Sequence, residues 1–214
     1  MALQRRNILL LIITLSFTQV AQVNDGRWYA GNYQNSSYGA KSKIWTPSWA
    51  PALYDSGESN WVSIYASTWI QTGWRYYQGY PAAKSYFEYL DLDGIFNAVN
   101  TETHLWNDIV EYRIEHLSGV MWCAYIADVS VWCDNVHSAP WTVMVSSEVH
   151  QHPMNELDTF FSDIYYRNSS GNWYRFNQHL WLDEFPYSTA KYDPSYFRAY
   201  RLDTNDIFVP LIRR

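Results

Sequence analysis

From Ser42 onward the chain is a succession of short runs in which apolar and polar residues alternate, with β-branched and aromatic side chains at the apolar positions and Gly, Asn, Asp, Ser or Pro between runs. A period of two places successive side chains on opposite faces of a strand, and almost no window carries a helical period. The pattern predicts strands over Lys43 to Thr46, Trp61 to Ala66, Trp69 to Tyr77, Ser85 to Leu90, Asp108 to Leu117 and Val120 to Asp128. Further strands are expected over Trp141 to His150, Thr159 to Arg167, Trp173 to Leu180, Phe197 to Leu202 and Ile207 to Pro210. Turns at Leu117-Ser118-Gly119-Val120 and at Asn168 to Asn172 each join two such runs into an antiparallel hairpin. The stretch Asp25 to Ala40, rich in Tyr, Asn, Ser and Gly, is expected to lie irregularly on the sheet, and Asp183 to Pro194 to be the other long irregular connection. Many short strands at this spacing imply an all-β, antiparallel double-sheet β-sandwich, jelly-roll-like. No repeat or linker divides residues 23–214, which are expected to form a single domain.

Composition sharpens the picture. Of 214 residues, 48% are hydrophobic and 19% aromatic, with 12 Trp, 19 Tyr and 9 Phe, which excludes a disordered chain. The formal net charge is −6 and the lysines are Lys41, Lys43, Lys84 and Lys191 alone, so neither nucleic acid nor an anionic lipid surface is an expected partner. Residues 1–22 carry Arg5-Arg6, an apolar run from Ile8 to Phe17 and small or polar residues up to Gln22, the order of a secretory signal peptide. Its apolar run is shorter than the roughly 20 residues that span a bilayer. A secreted protein without stable membrane association, and a monomer, is the expectation. Loss of Arg5 and Arg6 with this leader takes −6 to −8. In an oxidising compartment Cys123 and Cys133, ten residues apart, suit a disulfide clamping a hairpin, with two buried free thiols as the alternative.

Three polar residues stand inside strongly β runs. Gln71, in Trp69-Ile70-Gln71-Thr72-Gly73-Trp74, shares a strand face with Trp69 and Gly73, and an interior strand glycine marks a bulge or a close approach to the backbone. Glu88 is enclosed by aromatics in Tyr86-Phe87-Glu88-Tyr89, where desolvation raises a carboxyl pKa. Glu148 lies on the face of Ser146 and His150 at the end of the Trp141 run. Each has an ordinary alternative as a solvated residue on the wet side of a sheet.

The order Trp61-Val62-x-Ile64, then Trp69-Ile70-Gln71-Thr72-Gly73-Trp74, then Tyr86-Phe87-Glu88-Tyr89-Leu90-Asp91 resembles the central strands of the secreted glutamic peptidases of the eqolisin type, over roughly Ser42 to Arg167. There a W-V-G-I strand precedes an L-Q-T-G strand with the catalytic Gln, and a Tyr-Glu-aromatic strand follows. Neprosin-type peptidases are similar too: their I-E-A-G-W takes the place of Ile70 to Trp74, and their G-E-V matches Ser147-Glu148-Val149. The resemblance implies an acid-active endopeptidase without cofactor, acting on polypeptide, with Gln71 and Glu148 as catalytic dyad. Glu88, Trp69, Trp74, Tyr77 and His150 are then expected around the substrate. Where eqolisins have the acidic turn G-I-D-G-D, this chain has Ser63-Ile64-Tyr65-Ala66-Ser67, and where their A-E-x-x-x-E strand has its second Glu, His152 follows Glu148.

Two other readings use the same region. His150, His152 and Glu156, with Glu148 nearby, have ligand types and spacing for a transition metal in a cupin-like barrel. Trp28, Tyr29, Trp45, Trp49, Trp74, Tyr76, Tyr77 and Tyr80 offer flat faces of the kind that stack on sugar rings, in a non-catalytic carbohydrate- or peptide-binding sandwich. The loop Tyr76-Tyr77-Gln78-Gly79-Tyr80-Pro81 is expected to expose its tyrosines.

Overall fold

The computed structural model describes residues 26–48, 57–65, 68–77, 79–90, 93–103, 106–136, 138–151 and 156–202. The leader 1–22, Trp49, Gln78, His152 and the run Ile207 to Pro210 lie outside them. Fifteen strands form among the described residues: β1 (Arg27–Ser37), β2 (Gly39–Trp45), β3 (Gly57–Tyr65), β4 (Trp69–Tyr77), β5 (Lys84–Leu90), β6 (Phe96–Thr103), β7 (Ile109–Ser118), β8 (Met121–Ile126), β9 (Val129–Asn135), β10 (Trp141–His150), β11 (Asp158–Arg167), β12 (Trp173–Arg175), β13 (Leu180–Asp183), β14 (Tyr187–Asp193) and β15 (Tyr196–Arg201). A seven-stranded sheet runs β13-β1-β10-β3-β4-β5-β6 and an eight-stranded sheet β14-β15-β11-β2-β7-β8-β9, with β12 attached to β11. Every strand pairing is antiparallel. The all-β double-sheet sandwich read from the alternation is the architecture observed, and no helix among the described residues is long and apolar enough to cross a membrane.

Strand alternation builds the core. On β4 the even-numbered side chains Ile70, Thr72 and Trp74 are fully buried, and the Trp74 indole donates to the Trp45 carbonyl of β2 at 3.2 Å. Val62 and Ile64 of β3 and Val143 and Val145 of β10 extend this layer, while Ile44, Tyr112, Ile114, Trp122, Phe161 and Phe197 face it from the eight-stranded sheet. Trp74 therefore belongs to the inter-sheet core and not to the substrate surface expected of it. Tyr76, on the same side, packs against Trp106.

The strands depart from the alternation reading in five further places. The supposed irregular leader is β1, held between β10 and β13. Its Asn, Gln and Ser residues have low β-propensity. They are used as bonding groups: Asn32 donates its amide to the carbonyls of Gln178 and Pro194, and the Gln34 side-chain oxygen accepts from the backbone N–H groups of Asn177 and Gln178. The Asp183 to Pro194 connection contains β14, whose Thr189 is fixed by its backbone and hydroxyl to the Asp183 carboxylate at 2.7 Å. The Trp173 to Leu180 run divides into β12 and β13, which join different sheets. The run ending at Asp128 continues as β9 after a two-residue turn in which Ala127 and Asp128 both take positive φ, 48° and 64°, the turn type whose twist suits a hairpin. The edge strand β6, rich in Asn and Thr, has no counterpart among the predicted strands.

Gly73 answers the question raised by its place inside a strand. The β3–β4 and β4–β5 registers run through it without a bulge, and a Cβ there would overlap the Asn60 carbonyl of β3. It is a site of close backbone approach.

One carboxyl lies on the core side. Glu58 of β3 is fully buried, its Oε1 accepting from the Asn60 amide at 2.6 Å and its Oε2 lacking a hydrogen-bond partner. Asn60 is in turn bonded to the Ser147 hydroxyl. Burial pushes the Glu58 carboxyl up to about 8, with the Asn60 donation opposing and Asp158 adding to the rise.

Cys123 and Cys133 form a disulfide directly across the β8–β9 ladder. Closing a loop of this size contributes roughly 2–3 kcal/mol through the unfolded chain. The double replacement of Cys123 and Cys133 by Ala is expected to lower unfolding free energy by about that amount in urea titrations while leaving the far-ultraviolet circular dichroism unchanged.

Candidate functional site

The outer face of the seven-stranded sheet carries the odd-numbered residues of β4 and β3 and the even-numbered residues of β5 and β10. The ladder arranges them in cross-strand rows. One row holds Met144, Ser63, Gln71 and Glu88; the next Ser146, Trp61, Gly73 and Tyr86; the third Tyr29, Glu148, Ser59 and Arg75; the fourth Arg27, His150, Gly57 and Tyr77. Directly opposite residues stand about 5 Å apart, and rows two residues apart along a strand lie roughly 7 Å from one another.

Gln71 and Glu88 are such a direct pair. The Gln71 amide nitrogen donates to Glu88 Oε1 and to the Tyr86 hydroxyl, the latter at 3.0 Å. Glu88 Oε2 receives Arg75 Nη1 at 3.0 Å, and Arg75 Nε donates to Asn100 of β6 at 2.8 Å. The guanidinium lies 4.5 Å from the Tyr86 ring centre and 5.7 Å from that of Tyr77. Burial is the largest influence on Glu88 and raises its carboxyl to about 7; Arg75 and Arg27 lower it, Glu148 raises it, and the Gln71 donation lowers it. Burial also raises the Tyr86 hydroxyl well above its ordinary value, so it serves as a neutral hydrogen-bonding group. The Ser63 hydroxyl, across the ladder from Gln71, is buried and has no hydrogen-bond partner.

Glu148 has a separate set of partners. Trp61 Nε1 donates to its Oε2 at 3.1 Å and the Tyr29 hydroxyl to its Oε1 at 3.2 Å, with Arg27 Nη1 at 3.4 Å and His150 Nε2 at 3.5 Å from the same oxygen. His150 Nε2 also meets the Tyr77 hydroxyl at 3.4 Å. Tyr77 reaches it by laying its ring over Gly57, where any Cβ would collide with that ring. Gln71 and Glu148 thus share a face but occupy rows four residues apart along β4, roughly 13 Å in the strand direction. The direct partner of Gln71 is Glu88.

A cavity of about 410 Å³ opens over these rows, with Trp69, Phe96 and Glu88 at one end, Arg27, Tyr77 and His150 at the other, and Arg75 between. Four of the five residues expected around a substrate, Glu88, Trp69, Tyr77 and His150, line it; Trp74 faces the core. Tyr77 and Tyr80 are half-buried and pack edge to face, 5.8 Å between centres, which leaves less of their rings open than the loop chemistry predicts. Arg75 was absent from the predicted site although its position, four residues after Gln71 on one strand, places it on the same face. Arg27, Tyr29 and Trp61 reach Glu148 only through pairings of β1 and β3 with β10, which no local pattern announces. Among the described residues no group of three or more His, Cys, Asp or Glu side chains is placed to hold a metal ion.

No family model matches the sequence, and no curated protein does. Among solved structures the fold is similar to that of scytalido-glutamic peptidase with a peptide-based transition-state analogue, with a TM-score of 0.58 at 12% identity over 82% of this chain and 98% of the other. It is similar also to SCP-B, a member of the eqolisin family of peptidases, in complex with the tripeptide Ala-Ile-His, with a TM-score of 0.56 at 12% identity and the same coverage. At that identity the likeness is one of fold, and it spans nearly the whole of both peptidases.

Glu58 and Glu88 are both raised above the ordinary carboxyl value of 4.5, to about 8 and about 7. The unfolded chain releases these protons near 4.5 while the folded chain keeps them, so the stability they contribute is fully present below pH 4.5 and is lost as pH rises through 7 and 8. Each titrating group changes stability by up to about 1.4 kcal/mol per pH unit. Unfolding free energy is expected to fall between pH 5 and 8, and to fall less steeply in Glu58→Gln and in Glu88→Gln; parallel curves in all three proteins would contradict the assignment.

Proposed function

We propose that this chain is a peptidase of the glutamic type that binds an extended polypeptide over the outer face of the seven-stranded sheet, with Gln71, Glu88 and Glu148 as its working groups. The observation that carries the reading is the direct Gln71–Glu88 pair, in which Glu88 lines the cavity as a buried carboxyl raised to about 7 and held against the Gln71 amide. A carboxyl with this proton affinity is suited to general acid and base work. The carboxylate form takes a proton from the attacking water as its oxygen bonds to the substrate carbonyl carbon. The resulting acid returns that proton to the amine as the C–N bond breaks. Gln71 orients the carboxyl and, by releasing one N–H from its present partners, stabilises the oxyanion of the tetrahedral intermediate. Glu148 is the second carboxylate. An extended chain covers roughly 3.3–3.6 Å per residue, so the distance between the Gln71 and Glu148 rows corresponds to about four substrate residues. The fold likeness to peptidases solved with a peptide-based analogue and with a tripeptide supports a polypeptide substrate. Secretion through the 1–22 leader belongs to the same proposal, and the disulfide is consistent with an oxidising compartment. A carboxylate base raised to about 7 favours work near neutral pH over the acid pH that the resemblance implies.

A binding-only sandwich is the second reading. It is favoured by the fact that the Gln71 amide nitrogen already serves Glu88 and Tyr86, and that Glu148 is already bonded to Trp61 and Tyr29, so these groups have partners without a substrate.

Digestion of denatured casein by the purified chain from about pH 3 to 9, with a chelator control, separates the two. Hydrolysis that survives chelator, rises with pH as Glu88 ionises through about 7 and drops at least about 100-fold in Gln71→Ala, Glu88→Gln and Glu148→Gln is the expected result. A folded protein with no hydrolysis, which instead binds glycans or peptides saturably and loses that binding in Tyr77→Ala, would establish the second reading.

A further inference from the structure

Arg75 is a cation in an unusual position for a buried face. It is 8% exposed, stands on the odd-numbered side of β4 four residues from Gln71, and turns its guanidinium back along the sheet to the Gln71–Glu88 row. Three contacts fix it there: Glu88 Oε2 at one nitrogen, Asn100 at another, and the Tyr86 ring beneath its plane. Gly73, between Gln71 and Arg75 on the same strand face, puts no side chain between them. The two oxygens of Glu88 are thereby divided, Oε1 to the Gln71 amide and Oε2 to Arg75.

We propose that Arg75 is the positioning residue of this face: it holds the Glu88 carboxyl in register with Gln71 and keeps it able to exist as a carboxylate in a site that would otherwise bind the proton permanently. The inference rests on the reading of Glu88 as the group that moves the proton. The groups that face Glu88 bear it out one by one. From β4 come Arg75, Gln71 and the Tyr77 hydroxyl; from β1 Arg27; from β10 Glu148; from β6 the neutral Asn100; and from its own strand Tyr86 and Lys84. Glu148 opposes ionisation, and Arg27 sits half-exposed and paired with Glu148 at 3.4 Å. Lys84 turns its ammonium over the Tyr80 ring, 4.6 Å from its centre. Arg75 is bonded to the carboxyl itself, and it exceeds Arg27 and Gln71 among the influences that favour the carboxylate. A buried carboxylate is tolerated only with a bonded, oppositely charged partner.

The test is carbon-13 NMR titration of the Glu88 carboxyl in the wild-type chain and in Arg75→Gln, Arg75→Lys and Asn100→Ala, together with the pH dependence of peptide hydrolysis in each. Arg75→Gln keeps the hydrogen-bonding length but removes the charge, and is expected to tighten proton binding by Glu88 at least tenfold, about one pH unit upward. Arg75→Lys restores the charge and is expected to return most of that shift. Asn100→Ala, at an exposed position, frees the guanidinium to swing and is expected to raise the midpoint by a smaller step, so a variant remains to be read if Arg75→Gln does not fold. The limb of the activity profile governed by Glu88 should move with the midpoint. A Glu88 midpoint that stays at its wild-type value in folded Arg75→Gln or, failing that, in Asn100→Ala would overturn the proposal. If the midpoint moves as expected while no variant and no wild-type protein cleaves polypeptide, the peptidase reading fails and the role of Arg75 toward Glu88 stands.

Discussion

The contact between the Gln71 amide and the Glu88 carboxyl depends on a register. Antiparallel β4 and β5 place these two residues opposite one another, and a slip of one residue would turn either side chain into the core. The register is held from both sides. On the core face Trp74, Phe87 and Ile70 are locked between the sheets; on the outer face Gly73 lets β3 approach so closely that no other residue fits. The hydrophobic packing of one face thus aligns the polar chemistry of the other.

Desolvation is the second constraint, and it acts on both sides of the seven-stranded sheet. In the core, Glu58 has a single neutral donor and remains protonated at neutral pH. On the outer face, Glu88 meets an arginine and an amide and titrates near 7. Glu148 is bonded through the Trp61 indole and the Tyr29 hydroxyl, so its environment is built from long-range aromatic donors and not from the neighbours of its own strand. The same residue type is given three different environments by what the ladder sets beside it.

This also explains which parts of the protein were legible in its sequence. Gln71, Gly73 and Glu88 stood out because each violates the apolar character of a strongly alternating run, and the alternation was enough to place the sandwich and most of its central strands. Trp74 was assigned to the substrate surface on its aromatic character, although counting from Gln71 puts it on the opposite side of β4. The same count would have found Arg75. Strands β1, β6 and β14 were hidden because their Asn, Ala and Lys residues carry little strand propensity; pairing partners distant in sequence make them strands. The partition of the two glutamates into separate rows was invisible for the same reason, since it depends on how β10 registers against β3.

On the proposed reading, the outer face of the seven-stranded sheet receives an extended polypeptide with its reacting bond at Gln71 and Glu88. A crystal structure of the chain with a peptide-based transition-state analogue tests this most directly. The account predicts the peptide running along the strands, its tetrahedral centre within hydrogen-bond distance of Glu88 and the Gln71 amide, and the rest of the chain extending toward Glu148. An analogue bound away from this face, or lying on it with neither Gln71 nor Glu88 in contact with the tetrahedral centre, would contradict it.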